Sequence, residues 1–131
     1  MTLVEEAASE FGTLQVFRVS DDHRNASFAG ATVLMRAHTP DAVLSEYRAG
    51  DAGGPCTGGV FDLFSTLPPL LTDVDPTNQH PIAILGLGAG TCARSLAALY
   101  PHDSRLMVGW ELDPTIVHLA RRHFGVEELE T

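Results

Sequence analysis

A chain of 131 residues with 44% apolar and 19% charged side chains has the size and composition of one globular domain, able to bury about two thirds of its surface. Eight basic residues stand against 17 acidic ones, and the formal charge of −9 repels nucleic acid and anionic membranes, which excludes both as expected partners. The apolar runs stay far below the roughly 20 residues of a membrane helix, and the opening MTLVEEAASEF is acidic where a targeting segment is basic; a cytoplasmic protein is expected, with a plastid left open.

The first strand expected is TLQVFRVS, Thr13 to Ser20, rich in β-branched and aromatic residues. The polar cluster Asp21 to Asn25 turns the chain into a second run, SFAGATVLM, Ser27 to Met35, and the two make a β-hairpin. AVLSEYR, Ala42 to Arg48, adds a short third strand. RAGDAGGPCTGG, Arg48 to Gly59, puts five glycines and a proline into twelve positions and marks an exposed loop. Residues 1–59 therefore form an N-terminal β-strand region. Residues 60–80 hold a short amphipathic helix and a linker. In VFDLFSTLPPLL the apolar Val60, Phe61, Phe64 and Leu67 share a helix face, Pro68 and Pro69 stop it, and TDVDPTNQHP, Thr72 to Pro81, is the polar linker.

From 81 to 131 the pattern changes to alternating strand and helix. IAILGL, Ile82 to Leu87, is a continuous apolar run, as in a parallel strand covered on both faces. A helix follows from Thr91, with Cys92, Leu96, Leu99 and Tyr100 on its apolar side, and Pro101 ends it. RLMVGWE, Arg105 to Glu111, is the second buried strand. Asp113 and Pro114 read as an N-cap followed by proline at the first helical position. The last helix carries Ile116, Ala120, His123 and Phe124 on one side and closes at Gly125. The fold class is thus α/β, a parallel strand–helix–strand–helix unit preceded by a small β-hairpin region.

Between the first of these strands and its helix lies ILGLGAGT, with Gly86, Gly88 and Gly90. Glycines there let the backbone turn sharply and let a ligand approach, while the helix start favours an anionic group. The dinucleotide pattern GxGxxG needs glycine or alanine at position 91, where this chain has Thr91. The spacing GxGxG fits S-adenosylmethionine, whose carboxylate takes the place of a pyrophosphate. Glu111, at the end of the next strand and 21 residues past Gly90, is placed to accept hydrogen bonds from ribose hydroxyls. NAD uses the same acid, so an NAD-binding oxidoreductase half stays a third alternative.

ILGLGAGT together with GWELDP resembles the first two motifs of class I S-adenosylmethionine-dependent methyltransferases, most closely the plant spermidine-synthase-like branch. VFDLFSTLPPLL and LARRHFG also resemble that branch, and the resemblance covers Val60 to Leu129, with the N-terminal strands matching loosely. It implies a Rossmann-like core behind a small β-stranded domain, with Gly86, Gly88 and Gly90 as the cofactor loop, Glu111 as the ribose acid, and Gln15 near the substrate. Spermidine synthases have an aspartate where this chain has Ala89. Decarboxylated S-adenosylmethionine keeps a cationic amine and loses its carboxylate, so the neutral residue favours ordinary S-adenosylmethionine, the decarboxylated form being the alternative. The resemblance also implies later strands that would carry the adenine-binding and catalytic acids. The expectation is a C-terminally truncated or partner-completed chain without measurable methyl or aminopropyl transfer, and with no catalytic residue assignable. A non-catalytic binding or oligomerising module, associating through an exposed strand edge, is the second reading.

Other residues point to no further chemistry. The six histidines are scattered, and His118 and His123 fall on different helix faces, so no metal site is expected. No GxSxG elbow occurs. Cys56 and Cys92, 36 positions apart without a CxxC, read as small buried or half-buried side chains. Trp110 points to the face opposite Glu111 and is expected in the core.

Overall fold

The computed structural model describes residues 1–50, 54–67, 80–103 and 105–130. Pro68, Pro69 and the linker from Thr72 to residue 79 lie outside the described residues, as do positions 51–53 of the glycine-rich loop. Among the described residues, two sheets make up the α/β architecture. One is four-stranded and antiparallel in the order β1-β2-β3-β4, with β1 Thr2–Ser9, β2 Gly12–Arg18, β3 Thr32–Arg36 and β4 Thr39–Tyr47. A short helix, α1 Phe61–Phe64, leads to the second part: β5 Ile82–Leu85, α2 Thr91–Leu99, β6 Met107–Trp110, α3 Pro114–His123 and a 3-10 turn, Val126–Leu129. In that part β5 and β6 pair in parallel, Ile82 opposite Met107 and Leu85 opposite Trp110.

The N-terminal region is larger than the expected hairpin. β1 pairs along β2 through a tight turn, Ser9 opposite Gly12, although its sequence lacks alternation and carries Glu5 and Glu6 in mid-strand. Charge is tolerated because β1 is an edge strand with one side open to water. The expected second strand, Ser27 to Met35, begins only at Thr32. Ahead of it the Asn25 side chain accepts the Ser27 N–H at 3.0 Å, an Asx turn that competes with strand pairing, and successive turns run on to Gly30. The third strand is present as β4 and starts three residues early.

β2 and β3 are covered on both faces. On one, Leu14, Val16 and Leu34 join Ala89, Ile116, Leu119, Ala120, Phe124 and Val126 in the main core. On the other, Val19, Ala31, Val33 and Met35 form a second cluster against Phe17, Phe28 and Val43. The main core is therefore made between the antiparallel sheet and α3.

The parallel pair differs from expectation. β5 alternates half-buried Ile82 and Ile84 with exposed Ala83 and Leu85, so it is not covered on both faces. β6 is shorter than Arg105 to Glu111, and Trp110 is 53% exposed, not a core residue. In α2 the buried residues are Thr91, Ala93, Ser95 and Leu96, and Leu99 is exposed, because the helix turns its small side chains toward β4. α3 follows the sequence closely: Asp113 Oδ1 accepts the Thr115 N–H at 2.9 Å as N-cap, Pro114 opens the helix, and Ile116, Leu119, Ala120 and Phe124 are buried. Cys92 is half-buried, but Cys56 is exposed on its loop.

Candidate functional site

The turn after β5 extends the parallel pairing. Gly86 and Leu87 both donate their N–H groups to the Trp110 carbonyl, at 2.9 and 2.8 Å. The Gly88 N–H then donates to Glu111 Oε2 at 2.8 Å, the Ala89 N–H to Ser45 Oγ at 2.7 Å, and the Gly90 N–H to the Leu87 carbonyl at 3.1 Å. Glu111 Oε1 accepts the Asp113 N–H at 3.0 Å. One carboxylate thus bridges the turn after β5 and the turn after β6. The first helical bond of α2 runs from Arg94 N–H to the Gly90 carbonyl, which leaves the N–H groups of Thr91, Cys92 and Ala93 without an intrahelical acceptor.

The three glycines all have left-handed backbones, with φ of +79° at Gly86, +59° at Gly88 and +84° at Gly90, but their surroundings differ. A Cβ on Gly86 would meet nothing within 4 Å, whereas on Gly88 it would meet Ser45 Oγ at 2.6 Å. On Gly90 it would meet Val126 Cγ2 at 3.2 Å and Leu129 Cδ1 at 3.4 Å. Open approach for a ligand therefore exists at Gly86. Gly88 and Gly90 make room for β4 and the 3-10 turn.

Of the residues expected at the site, Gly86, Gly88 and Glu111 come together at this turn, and Gly90 lies beneath it, buried. Gln15 does not join them. It lies between Leu14 and Val16 on β2, whose side chains enter the main core, so its own points to the opposite face, where Nε2 donates to Glu6 Oε2 at 2.6 Å. Asp113 is occupied as N-cap and accepts the Ser9 hydroxyl at 2.5 Å. His123 Nε2 meets Glu5 Oε2 at 2.5 Å, while His118 is exposed.

Two residues that shape the turn, Ser45 and Glu46, escaped the reading of the sequence, and Thr91, marked there for breaking the dinucleotide pattern, is the third. Ser45 accepts from Ala89, and the Thr91 hydroxyl both accepts the Glu46 N–H at 2.8 Å and donates to the Glu46 carbonyl at 2.9 Å. All three are buried. A serine directly after the apolar run Ala42 to Leu44 was the one visible signal. Beside the turn, a groove of about 630 Å³ is lined by β5 together with Phe61, Phe64, Leu67, Cys92 and Leu96. Burial pushes the Cys92 thiol pKa up, so the groove presents a neutral thiol.

The arrangement can hold a polar ligand whose hydroxyls or cation approach Glu111 and whose chain passes over Gly86. No family model, curated protein or solved structure matches the chain.

Proposed function

We propose that the chain binds S-adenosylmethionine and is methyltransferase-like, nearest in type to the spermidine-synthase-like branch, with β5-α2-β6-α3 serving as the first half of a Rossmann-like unit. The observation that carries this reading is the 2.8 Å hydrogen bond from Gly88 to Glu111: the acid after the second parallel strand reaches the glycine turn after the first. A carboxylate has lone pairs beyond the two it uses here, so Glu111 can take ribose hydroxyls. The open side of Gly86 admits the methionine chain, and the first-turn N–H groups of α2 favour its carboxylate. S-adenosylmethionine, when bound, supplies an electrophilic carbon on a sulfonium. Ala89 is wholly buried in the main core and offers no acid to the amine of the decarboxylated form. Thr91, wedged by its hydroxyl against Glu46, stands where a dinucleotide site has glycine or alanine.

Calorimetric titration with S-adenosylmethionine, its decarboxylated form and NAD tests the reading. S-adenosylmethionine is expected to bind tightest, with affinity at least tenfold weaker in Glu111→Ala. Absence of binding, or affinity unchanged by Glu111→Ala, overturns it.

The groove lined by β5, together with the two-stranded pairing of β5 and β6 among the described residues, supports a second reading, a binding or oligomerising module that adds a strand beside β5. A stable dimer by light scattering, lost when Ala83→Pro removes an N–H that faces away from β6, is its expected signature.

A further inference from the structure

A separate cleft of about 290 Å³ opens between the end of β4, the loop at 54–57 and α2, and its walls include Glu46, Arg48, Cys56, Thr57, Arg94 and Ser95. All eight basic residues of the chain are arginines, and two of them converge on this one cleft in a chain of net charge −9. The guanidinium of Arg94 lies over the Tyr47 ring, 4.5 Å from its centroid, and Nη2 donates to the Phe124 carbonyl at 2.5 Å. Its Nη1 is buried and bonds to nothing among the described residues. Buried donors on an ionised group are as a rule paired, because leaving one without an acceptor forfeits its hydration for no return. Burial accordingly lowers the Arg94 pKa from its ordinary value.

Glu46 does not meet this need. Its carboxylate is 2.8 Å from Arg48 Nη2, and its main chain is held by Thr91. Arg48 and Glu46 offset each other, whereas Arg94, which Glu128 reaches only through space, makes no ion pair among the described residues. Burial pushes the Glu46 pKa up against the pull of Arg48, and the neighbouring Asp62 adds to the rise. The volume lies at the lower end of small-molecule sites, about 300 to 1,000 Å³, and is too small for a nucleotide. The buried Ser95 hydroxyl, one residue from Arg94 on α2, adds a neutral donor. From this juxtaposition we infer that the cleft binds a small monocarboxylate, received at the unpartnered Nη1 of Arg94 with Arg48 supplying field and Ser95 a further hydrogen bond. The inference is independent of S-adenosylmethionine binding at the glycine turn.

The test is a calorimetric titration of the full chain with sodium propionate at fixed ionic strength, with sodium chloride and sodium phosphate in parallel. Saturable one-to-one binding of propionate is expected, weakened at least tenfold in Arg94→Lys, which keeps the charge and loses the fork, and severalfold in Arg48→Gln and Ser95→Ala. Cys56 provides a second measurement should Arg94→Lys fold poorly. Its alkylation by iodoacetate, a carboxylate, relative to neutral iodoacetamide should exceed the same ratio for glutathione, and propionate should suppress the excess. A flat propionate titration, an equal response to chloride, tighter binding of phosphate than of propionate, or affinity unchanged across the three variants each overturns the assignment.

Discussion

At the residue scale, the glycines of the turn separate a conformational requirement from a packing one. Gly86→Ala meets no atom, so its expected cost is the left-handed strain alone, about 1–2 kcal/mol. Gly88→Ala adds a Cβ 2.6 Å from Ser45 Oγ and is expected to lower the denaturation midpoint further. Ser45→Ala leaves the Ala89 N–H buried without its acceptor, a loss of about 1–3 kcal/mol. Because Ser45→Ala also removes the atom that Gly88→Ala strikes, the double variant should lose less than the sum of the two singles, and a strictly additive double-mutant cycle contradicts the packing described here. The glycines and Glu111 were legible because each belongs to a local pattern. Ser45 was not, since its partner lies 44 positions away and nothing in the intervening residues announces the meeting.

Among the elements, α3 was the most legible, because Asp113, Pro114 and the run of apolar positions to Phe124 all agree with one helix. Asp113→Ala removes the cap and strands the Ser9 hydroxyl; an expected loss of about 1–2 kcal/mol is read from denaturant titration. β1 was illegible for the opposite reason. Its acidic residues broke the apolar alternation, and their use appears only once α3 is beside them: Glu5 meets His123 at 2.5 Å and Arg122 at 3.4 Å. The hydrogen bond from His123 holds the Glu5 carboxyl below its ordinary 4.5. A depressed folded pKa means that the stabilisation is present above the unfolded value and is lost as the pH falls through the folded one. Thermal melts should therefore decline more steeply on the acid side of 4.5 for the natural chain than for Glu5→Gln; identical acid slopes would remove the pair from any role in stability.

For the whole molecule, the main core lies between the antiparallel sheet and α3, so the two regions read separately from the sequence share one hydrophobic interior. Strand and helix periodicities revealed the α/β class, but not that β5 and β6 would keep exposed faces, with Leu85 81% and Trp110 53% accessible. Coverage depends on what packs over a strand, and apolar composition alone does not report it. Phe124→Ala, which empties the centre of the shared interior, is expected to cost about 3–5 kcal/mol and to unfold both regions in one transition; two separate transitions would show that they are independent. The bonds that join the regions span long stretches of chain, 104 residues from Ser9 to Asp113 and 118 from Glu5 to His123. During synthesis on the ribosome β1 emerges more than 100 residues ahead of α3 and waits for it before its acidic edge is neutralised. These residues should thus stay susceptible to protease until α3 has emerged and then gain resistance abruptly.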